Sequence, residues 1–291
     1  MEINMENQEK NKVLGGVLYL VATPIGNLSD ISERAIKVLS EVDFVAAEDT
    51  RNAAKLLGCY GIKKELISYF EHNKRESGEK IIARLLSKES CALITDAGMP
   101  AISDPGEDLV RLAAESGVTV SIIPGACAAV SALALSALPT RRFVFEGFLS
   151  AKKNERRAAL EALSEEERTV IFYEAPHKLR TTLADMCEIF GGERKISLCR
   201  ELTKLNEEVI RTTLSAACDY YEKSEPRGEY VLVLDGGNAK KESPLSSLSV
   251  SEQVAHYEAT GLSRMDAIKA TARDRGVPKS EIYKEVVDGK K

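Results

Sequence analysis

The sequence contains no tryptophan, and aromatic residues make up only 5% of its 291 positions. This composition argues against a broad platform of stacked aromatic side chains for single-stranded nucleic acid. The three histidines, His72, His177 and His256, do not have the spacing of metal ligands, so no metal site is predicted. No apolar run reaches the length of a membrane span, and the polar segment 1–12 lacks the apolar core of a signal peptide. We therefore expect a cytoplasmic protein that does not contact a membrane.

The usual nucleotide-binding and hydrolase motifs are also missing. No Gly-x-Gly-x-x-Gly follows the first predicted strand, and no glycine-rich loop ends in Gly-Lys-Ser/Thr. A Gly-x-Ser-x-Gly elbow is absent, which argues against nucleophilic hydrolysis. The six cysteines have no paired metal spacing, and several lie in apolar segments. Reduced, mostly buried thiols are expected from this pattern.

Length and composition fit a soluble enzyme made of two domains or of one large α/β domain. The 40 basic and 45 acidic residues give a formal net charge of -5, so no global basic field indicates a nucleic acid partner. A local basic patch could still bind RNA. A chain of 291 residues is long enough to bury a large core.

Apolar runs and helical periodicity alternate along the first half of the chain. Strands are predicted at Val17–Ala22, Phe44–Ala47, Cys91–Thr95 and Thr119–Ile123. Helices are predicted at Ile31–Ser40 with a cap at Ser29 or Asp30, near Asn52–Leu57, and at Lys80–Ser87, Leu109–Ser116 and Cys127–Ala137. This alternation predicts a mostly parallel sheet with helices on its faces.

The chain changes character near Leu138, where a second α/β domain is predicted to begin. Its strands are predicted at Phe143–Gly147, Thr169–Tyr173, Lys195–Arg200, Val209–Thr213 and Tyr230–Leu234, and its helices near Leu179–Phe190 and Leu214–Lys223. Three short helices are predicted at Ser251–Ala259, Ser263–Arg275 and Lys279–Val286. The predicted organisation is an N-terminal α/β domain over 13–137, a second α/β domain over 138–236, a linker over 237–249 and a helical unit over 250–288.

The most informative segment is the loop that follows the strand at Cys91. Between Asp96 and Gly106 it carries two glycines, two prolines, two aspartates and a serine. Glycine permits backbone angles closed to other residues, and proline fixes its own, so the loop is conformationally specified. Such a loop beyond the carboxyl end of a strand suits a ligand site. The plainer interpretation, that Ser103 or Asp104 caps the helix beginning near Glu107, explains only one of these residues.

A second turn follows the first strand as Thr23-Pro24-Ile25-Gly26-Asn27-Leu28. It could bring backbone close to a ligand, with Asn27 as donor and acceptor, or it could simply lead into a helix. Further motifs stand at Glu48-Asp-Thr-Arg51, Ile123-Pro-Gly125, Phe172-Tyr-Glu-Ala-Pro-His177 and Arg200-Glu-Leu-Thr-Lys204.

Taken in order, these motifs resemble one branch of the tetrapyrrole methylase superfamily, which comprises class III methyltransferases. The branch consists of bacterial 16S ribosomal RNA (cytidine-2'-O)-methyltransferases. The resemblance covers roughly residues 15–235, and the last three helices are similar to that family's helix-turn-helix appendage. The turn over Thr23–Asn27 stands where small-molecule methylases usually carry a glycine-rich turn, which favours the ribosomal RNA branch.

The resemblance implies a homodimer whose subunits bind S-adenosyl-L-methionine in a cleft between two domains. The positions that match the family's cofactor contacts are Pro24, Gly26, Ala97, Gly98, Met99, Ile102, Ser103, Cys127, Ala128, Tyr173, Glu174 and Ala175. Met99 departs from the family pattern because tetrapyrrole enzymes tend to carry aspartate there. The family further implies a decoding-centre cytidine of the small ribosomal subunit as the target.

Methylation of a ribose 2'-hydroxyl requires help with the leaving proton or with the developing alkoxide. Asp49 with Arg51 is one candidate pair, although a helix cap with a surface ion pair would also explain these residues. Glu174 is a second candidate, on a short loop that also carries His177, for which a structural role is an equal alternative. Lys204 could orient phosphate, or act as a base if it were desolvated. The sequence does not rank these candidates.

The predicted RNA contact is a basic segment on one strand and the loop after it. Its residues are Arg141, Arg142, Lys152, Lys153, Arg156 and Arg157. The C-terminal helices carry mixed charges, so RNA binding, packing and dimer contact all stay open for them. Two other functions compete with RNA methylation: a small-molecule methylase of the same superfamily, and a ribosome assembly factor without enzymatic activity.

Overall fold

A computed structural model describes residues 11–237, 245, 248–275 and 277–288 of the chain. The strands are β1 Val17–Val21, β2 Phe44–Ala47, β3 Glu65–Ser68, β4 Cys91–Ile94, β5 Thr119–Ile123, β6 Phe143–Phe148, β7 Thr169–Glu174, β8 Lys195–Arg200, β9 Glu208–Thr213 and β10 Tyr230–Leu234. The helices are α1 Glu33–Glu41, α2 Thr50–Cys59, α3 Lys74–Leu86, α4 Glu107–Glu115, α5 Ala128–Leu135, α6 Lys153–Ala162, α7 Pro176–Phe190, α8 Leu214–Lys223, α9 Val250–Ala259, α10 Arg264–Arg275 and α11 Lys279–Asp288. None of these helices is long and apolar enough to cross a bilayer.

The first sheet is entirely parallel, in the order β3-β2-β4-β1-β5. Strand β1 is buried along its whole length because helices cover both faces of the sheet. Val17, Tyr19 and Val21 pack with α1 and α2, whereas Leu18 and Leu20 pack with α3 and α4. Because all the strands point the same way, the loops that follow them collect at one edge of the sheet.

The second sheet is mixed, in the order β6-β7-β10-β8-β9. Only the β6–β7 pair is parallel, and the other pairs are antiparallel. Helices α6, α7 and α8 cover one face through residues such as Leu160, Leu183 and Leu214. The antiparallel register brings the start of β10 beside the ends of β7 and β8, since Tyr230 pairs with both Glu174 and Arg200.

Helix α5 joins the two sheets. It follows β5 of the first sheet, yet its Ala129, Ala132 and Leu133 pack on the second face of the other sheet, against residues that include Ile171 and Val231. Burial of apolar area drives this contact. The carboxyl edge of the first sheet is thereby held facing the second sheet.

Helices α9, α10 and α11 form a small apolar cluster of their own around Val254, Ile268 and Ile282. A capping box at Ser249 and Glu252 starts α9. The three predicted C-terminal helices are confirmed. Most of the predicted linker, residues 238–244, 246 and 247, lies outside the described residues, as do Gly276 and residues 1–10 of the polar N-terminal segment.

Several local predictions were wrong. Helix α1 begins at Glu33, and its cap is Ser32, whose side chain accepts from the Ala35 amide, because residues 28–30 form a separate 3-10 turn. Helix α4 is preceded by Gly106, without a side-chain cap from Ser103 or Asp104. Strand β3 was not predicted because it is short and only partly buried. The segment predicted as a basic loop continues as helix α6.

Candidate functional site

A cavity of about 460 Å³ lies between the loops after β1, β4 and β5 and the facing ends of β7, β8 and β10. This volume is within the range of small-molecule sites. Its walls combine apolar side chains with several carboxylates. The lining residues are Ile25, Asp96, Ala97, Gly98, Met99, Ile102, Ser103, Asp104, Cys127, Ala128, Phe148, Tyr173, Glu174, Ala175, Pro176, Glu201, Leu202, Lys204, Glu229, Tyr230 and Val231.

Two loops of the first sheet are joined by backbone hydrogen bonds at the cavity. The Thr23 amide donates to the Gly98 carbonyl at 2.9 Å, and the Gly98 amide donates to the Thr23 carbonyl at 3.1 Å. The Thr23 hydroxyl, which is buried, also donates to the Thr95 carbonyl at 3.2 Å. These bonds fix the loop after β1 against the loop after β4, so both present their outer residues to the same space.

The loop after β4 has a strained backbone. Ala101 and Ser103 adopt φ angles of 68° and 61°, in the left-handed region that side chains with a Cβ rarely occupy. Such residues cost on the order of 1–3 kcal/mol each and cluster at functional sites. Gly106, at φ 143°, leaves no room for a Cβ, which would lie 2.9 Å from Leu93. The backbone of this loop therefore has the restricted conformation that its glycines and prolines predicted.

The loop after β1 presses against the second sheet. A Cβ on Gly26 would lie 2.4 Å from Lys204 Cγ, 2.8 Å from Thr203 Oγ1 and 2.9 Å from the Leu202 carbonyl oxygen. Gly26 is therefore required for close approach, since its backbone reaches the loop after β8. The two sides of the cavity meet at this contact.

All the positions that match the family's cofactor contacts, except Pro24 and Gly26, line the cavity. Ile25, between those two, lines it instead. Tyr173 is held in place because its hydroxyl accepts from the Ala129 amide at 3.2 Å. Burial, with smaller effects from Cys127 and Asp104, raises the pKa of Tyr173 to about 12, so the phenol stays protonated. Cofactor binding by these residues stays a prediction at this point.

Asp49 and Arg51 are not among the residues that line the cavity. Asp49 is the N-cap of α2, where its carboxylate accepts from the Arg51 amide at 2.8 Å and forms an ion pair with the Arg51 guanidinium at 2.6 Å. The hydrogen bonds from Arg51 hold the pKa of Asp49 well below its usual range, so this carboxylate is a weak base. Asp49 and Arg51 thus have the structural roles considered above, a helix N-cap and a surface ion pair.

Glu174 and Lys204 do line the cavity. The carboxylate of Glu174, a residue that is 2% exposed, already accepts from Thr182 Oγ1 at 2.5 Å, the Ala175 amide at 2.9 Å and Lys178 Nζ at 3.1 Å. These three donors fix the carboxylate in place, so Glu174 is suited to hold the wall of the cavity.

Lys204 Nζ lies 2.8 Å from Glu201 and 2.9 Å from Glu229. Burial lowers the pKa of Lys204, but the hydrogen bonds to both carboxylates outweigh that effect and raise it above its ordinary value. The condition under which Lys204 would act as a base, desolvation without a partner, is therefore not met.

Asp104 is a cavity residue whose role the sequence did not indicate. The other carboxylates of the lining have donors: Asn52 for Asp96, Thr182 and Lys178 for Glu174, and Lys204 for Glu201 and Glu229. Within the described part of the chain, no hydrogen bond or ion pair reaches the half-buried Asp104 carboxylate. Burial, together with the negative charges of Glu48 and Asp96, raises its pKa to about 6. Asp104 is thus an uncompensated negative charge in the cavity at neutral pH.

The basic segment divides into exposed and structural residues. Arg141, Arg142, Lys152 and Lys153 are exposed. Arg156 is 3% exposed, and its guanidinium contacts the Asp185 carboxylate at 2.7 Å.

Arg157 contacts the same carboxylate at 3.1 Å and Glu188 at 2.7 Å. These ion pairs attach α6 to α7. The prediction that Arg156 contacts RNA is wrong because its side chain is buried, whereas RNA contact by Arg157 stays a prediction. Arg156 lies four residues before the buried Leu160, so both are on the same face of α6. This spacing indicates a buried position, but the charge of Arg156 suggested an exposed one.

Comparison with known proteins gives a consistent result. The family model described as Tetrapyrrole (Corrin/Porphyrin) Methylases matches residues 17–218. "Ribosomal RNA small subunit methyltransferase I" of Halalkalibacterium halodurans is 50% identical over 271 residues, which cover 92% of this chain and 93% of that protein. The protein of the same name from Bacillus subtilis is 47% identical over 272 residues, with the same coverage.

A solved structure, uroporphyrin-III-C-methyltransferase from Thermus thermophilus, superposes with a TM-score of 0.55 at 19% identity and covers 76% of this chain and 94% of that one. This likeness concerns the fold alone. It confirms the predicted fold class, two α/β units of the tetrapyrrole methylase type.

Substitution of Gly26 tests the contact that joins the two sides of the cavity. Gly26→Ala is expected to lower the free energy of unfolding by about 1–3 kcal/mol, because the new methyl overlaps backbone and side-chain atoms of residues 202–204. Denaturant unfolding measures the change. Gly58→Ala is the matched control: Gly58 lies in α2 with no atom within 4 Å of the added Cβ, so this variant should gain roughly 0.5–1 kcal/mol. A Gly26→Ala variant as stable as Gly58→Ala would contradict the contact.

Proposed function

The chain belongs to the tetrapyrrole (corrin/porphyrin) methylase family and is a methyltransferase, and from this we propose that it uses S-adenosyl-L-methionine to methylate small-subunit ribosomal RNA. The proposed target is the ribose 2'-hydroxyl of a decoding-centre cytidine in 16S ribosomal RNA. The observation that carries the proposal is the identity of about half of all aligned residues with relatives named for a small-subunit ribosomal RNA activity, over nine-tenths of the chain.

The cavity fits the proposed cofactor. S-adenosyl-L-methionine supplies an electrophilic methyl group when bound and carries positive charge on its sulfonium and ammonium groups. Ile25, Ile102 and Val231 provide apolar wall, and the uncompensated carboxylate of Asp104 provides a complementary charge. A half-buried carboxylate with no hydrogen-bond donor or cation among the described residues is unfavourable, which supports a cationic ligand beside Asp104.

The remaining polar residues would prepare the acceptor. Lys204, held as an ammonium by two carboxylates, can donate a hydrogen bond to the ribose oxygen as its bond to the methyl group forms and the hydroxyl proton is released to water. Glu174 keeps the end of β7 rigid through its bonds to Thr182 and Ala175. In this scheme Lys204 contributes charge at the acceptor, and Glu174 helps to fix the position of the cavity wall.

RNA would approach along exposed basic residues before and after β6, the strand whose last residue lines the cavity. These residues are Arg141, Arg142, Lys152 and Lys153. We also infer a cytoplasmic homodimer. Exposed apolar side chains at the sheet edges and on α5, namely Ile122, Val130 and Phe143, offer a surface for the second copy.

The proposal is tested by methyl transfer from labelled S-adenosyl-L-methionine to small ribosomal subunits taken from a strain without this gene. We expect one modified nucleotide, a cytidine of the decoding centre methylated on the ribose. Transfer to a porphyrinoid and none to subunits would instead select the small-molecule alternative. Binding to subunits without cofactor binding would select an assembly factor.

Asp104→Asn tests the proposed charge complementarity. At pH 7 we expect a loss of roughly 10- to 100-fold in affinity for S-adenosyl-L-methionine by calorimetry, because hydrogen bonds to charged groups contribute about 1.5–3 kcal/mol. Between pH 7 and pH 5 the wild-type affinity should fall as Asp104 takes up a proton near its pKa of about 6, whereas the variant stays flat. The α-amino group of the cofactor, with an ordinary pKa of about 7.7–8.0, remains protonated in this range.

A stability measurement is the control for this variant. The pKa of Asp104 is higher in the folded protein than its ordinary 3.8, so the folded state holds more protons between pH 3.8 and about 6, and stability falls as pH rises through that window. Asp104→Asn should therefore be at least as stable as the wild type at pH 7. Equal affinities of the two proteins at pH 7 would contradict the assignment.

Charge reversal just after β6 tests the RNA contact. Lys152→Glu with Lys153→Glu should weaken binding to small subunits, because each substitution removes a cation that would neutralise a phosphate. The salt dependence of binding should fall by about one counterion for each phosphate that is no longer neutralised. Cofactor affinity should not change.

The control for this pair is Lys63→Glu with Lys195→Glu. It makes the same change in net charge at exposed residues just before β3 and at the start of β8, away from the cavity. Equal weakening by both pairs would show that only net charge matters.

A further inference from the structure

Phe148 is an exposed aromatic side chain at the rim of the cavity. It is 58% exposed although it belongs to the lining and ends strand β6. The ring is therefore open to solvent at the mouth of the cavity, where a ligand that enters the cavity can reach it. The cofactor-matched residues Tyr173 and Ala175 lie deeper, being only partly exposed.

A bulge aims Phe148 at the cavity. The pairing register of β6 with β7 shifts between Phe145 and Gly147, and Gly147 adopts a φ of 74°. A Cβ at Gly147 would lie 2.9 Å from Ser103 Oγ, so the bulge also seats the strand against the loop after β4. Bulges next to active sites commonly redirect a side chain, and here the redirected residue is Phe148.

Two neighbouring side chains contact the ring, and more than half of the residue is exposed. Tyr173 packs edge-to-face against it, with centroids 5.4 Å apart and planes at 60°. Lys178 Nζ lies 5.7 Å from the ring centroid and is itself held by the Leu149 carbonyl and by Glu174. The ring is thus pre-positioned, while more than half of the residue's surface remains available to a flat ligand.

The open ring lies between the cavity and the basic residues that follow β6. Lys152 and Lys153, both exposed, come only four and five residues after Phe148. A nucleotide whose phosphates contact this segment and whose ribose enters the cavity must bring its base close to the rim. Every nucleobase has a π face that stacks on an aromatic side chain.

We propose that Phe148 is the stacking surface for the base of the target nucleotide, and that this contact places the ribose hydroxyl in the cavity. The inference rests on the proposed RNA substrate. It makes Phe148 a substrate-binding residue rather than part of the cofactor pocket. Target recognition would then use a single aromatic ring together with phosphate contacts, in a chain without tryptophan.

The experiment compares Phe148→Ala, Phe148→Leu and Phe148→Trp in steady-state methyl transfer to small ribosomal subunits. Stacking predicts that Phe148→Ala raises KM for subunits roughly 5- to 150-fold, since base–aromatic stacking contributes about 1–3 kcal/mol. Phe148→Trp should retain near wild-type values, and Phe148→Leu, which keeps apolar area without a π face, should lie between them. Affinity for S-adenosyl-L-methionine by calorimetry should stay within about twofold of the wild type, and light scattering should show an unchanged mass.

Each alternative has its own result. A parallel loss of cofactor affinity would assign Phe148 to the cofactor's adenine and overturn the proposal. Wild-type kinetics for Phe148→Leu would remove the need for stacking, and a changed mass for Phe148→Ala would make the ring a contact between copies. Failure of the wild-type protein to methylate subunits would overturn the proposed function itself, and the stacking proposal with it, before any variant is compared.

Discussion

The site depends on one pair of backbone hydrogen bonds, those between Thr23 and Gly98. They connect the loop after β1 to the loop after β4, two strands that are neighbours in the sheet although they are distant in the sequence. Ala101 and Ser103, whose φ angles are positive, lie in the same loop just after Gly98, so the bridge anchors the start of the segment that carries them. Both bonds join backbone groups. The bridge therefore requires a particular path of the chain at Thr23 and Gly98 and does not depend on their side chains for its donors and acceptors.

Charge in the cavity follows from how donors are distributed. Glu174, Glu201 and Glu229 each have a cationic partner: Lys178 attaches the end of β7 to α7, and Lys204 connects the loop after β8 to the start of β10. Asp104 has none among the described residues, so its charge is available to a ligand. Asp96 is bonded to the neutral amide of Asn52, and a single lysine, Lys204, serves both Glu201 and Glu229, so the lining as a whole keeps a negative balance that favours a cation. Carboxylates that have donors within the protein hold the structure of the cavity, whereas Asp104, which has no donor among the described residues, is the one proposed to contact a ligand.

The sequence predicts most of the fold because buried parallel strands have continuous apolar runs, as in Val17–Val21. It misses β3, which is half-exposed, and α6, whose charged residues include the buried Arg156. The order of the motifs identifies most of the cavity lining. The proposed roles of Asp104 and Phe148 could not be predicted from the sequence. The role of Asp104 depends on the absence of nearby donors among the described residues, and that of Phe148 depends on a bulge that breaks the alternation of strand β6.

Helix α5 follows β5 of the first sheet, but its apolar side lies on the second. In a chimaera joined after residue 137, Ala132 and Leu133 would pack against another protein's residues in place of Ile171 and Val233, so the two sides of this interface would come from different sequences. The unit that can be exchanged between relatives therefore ends near Pro124-Gly125, ahead of the helix, and not where the first half of the sequence ends. Chain order alone does not reveal this boundary, because α5 follows the first sheet in the sequence and packs on the second sheet in space.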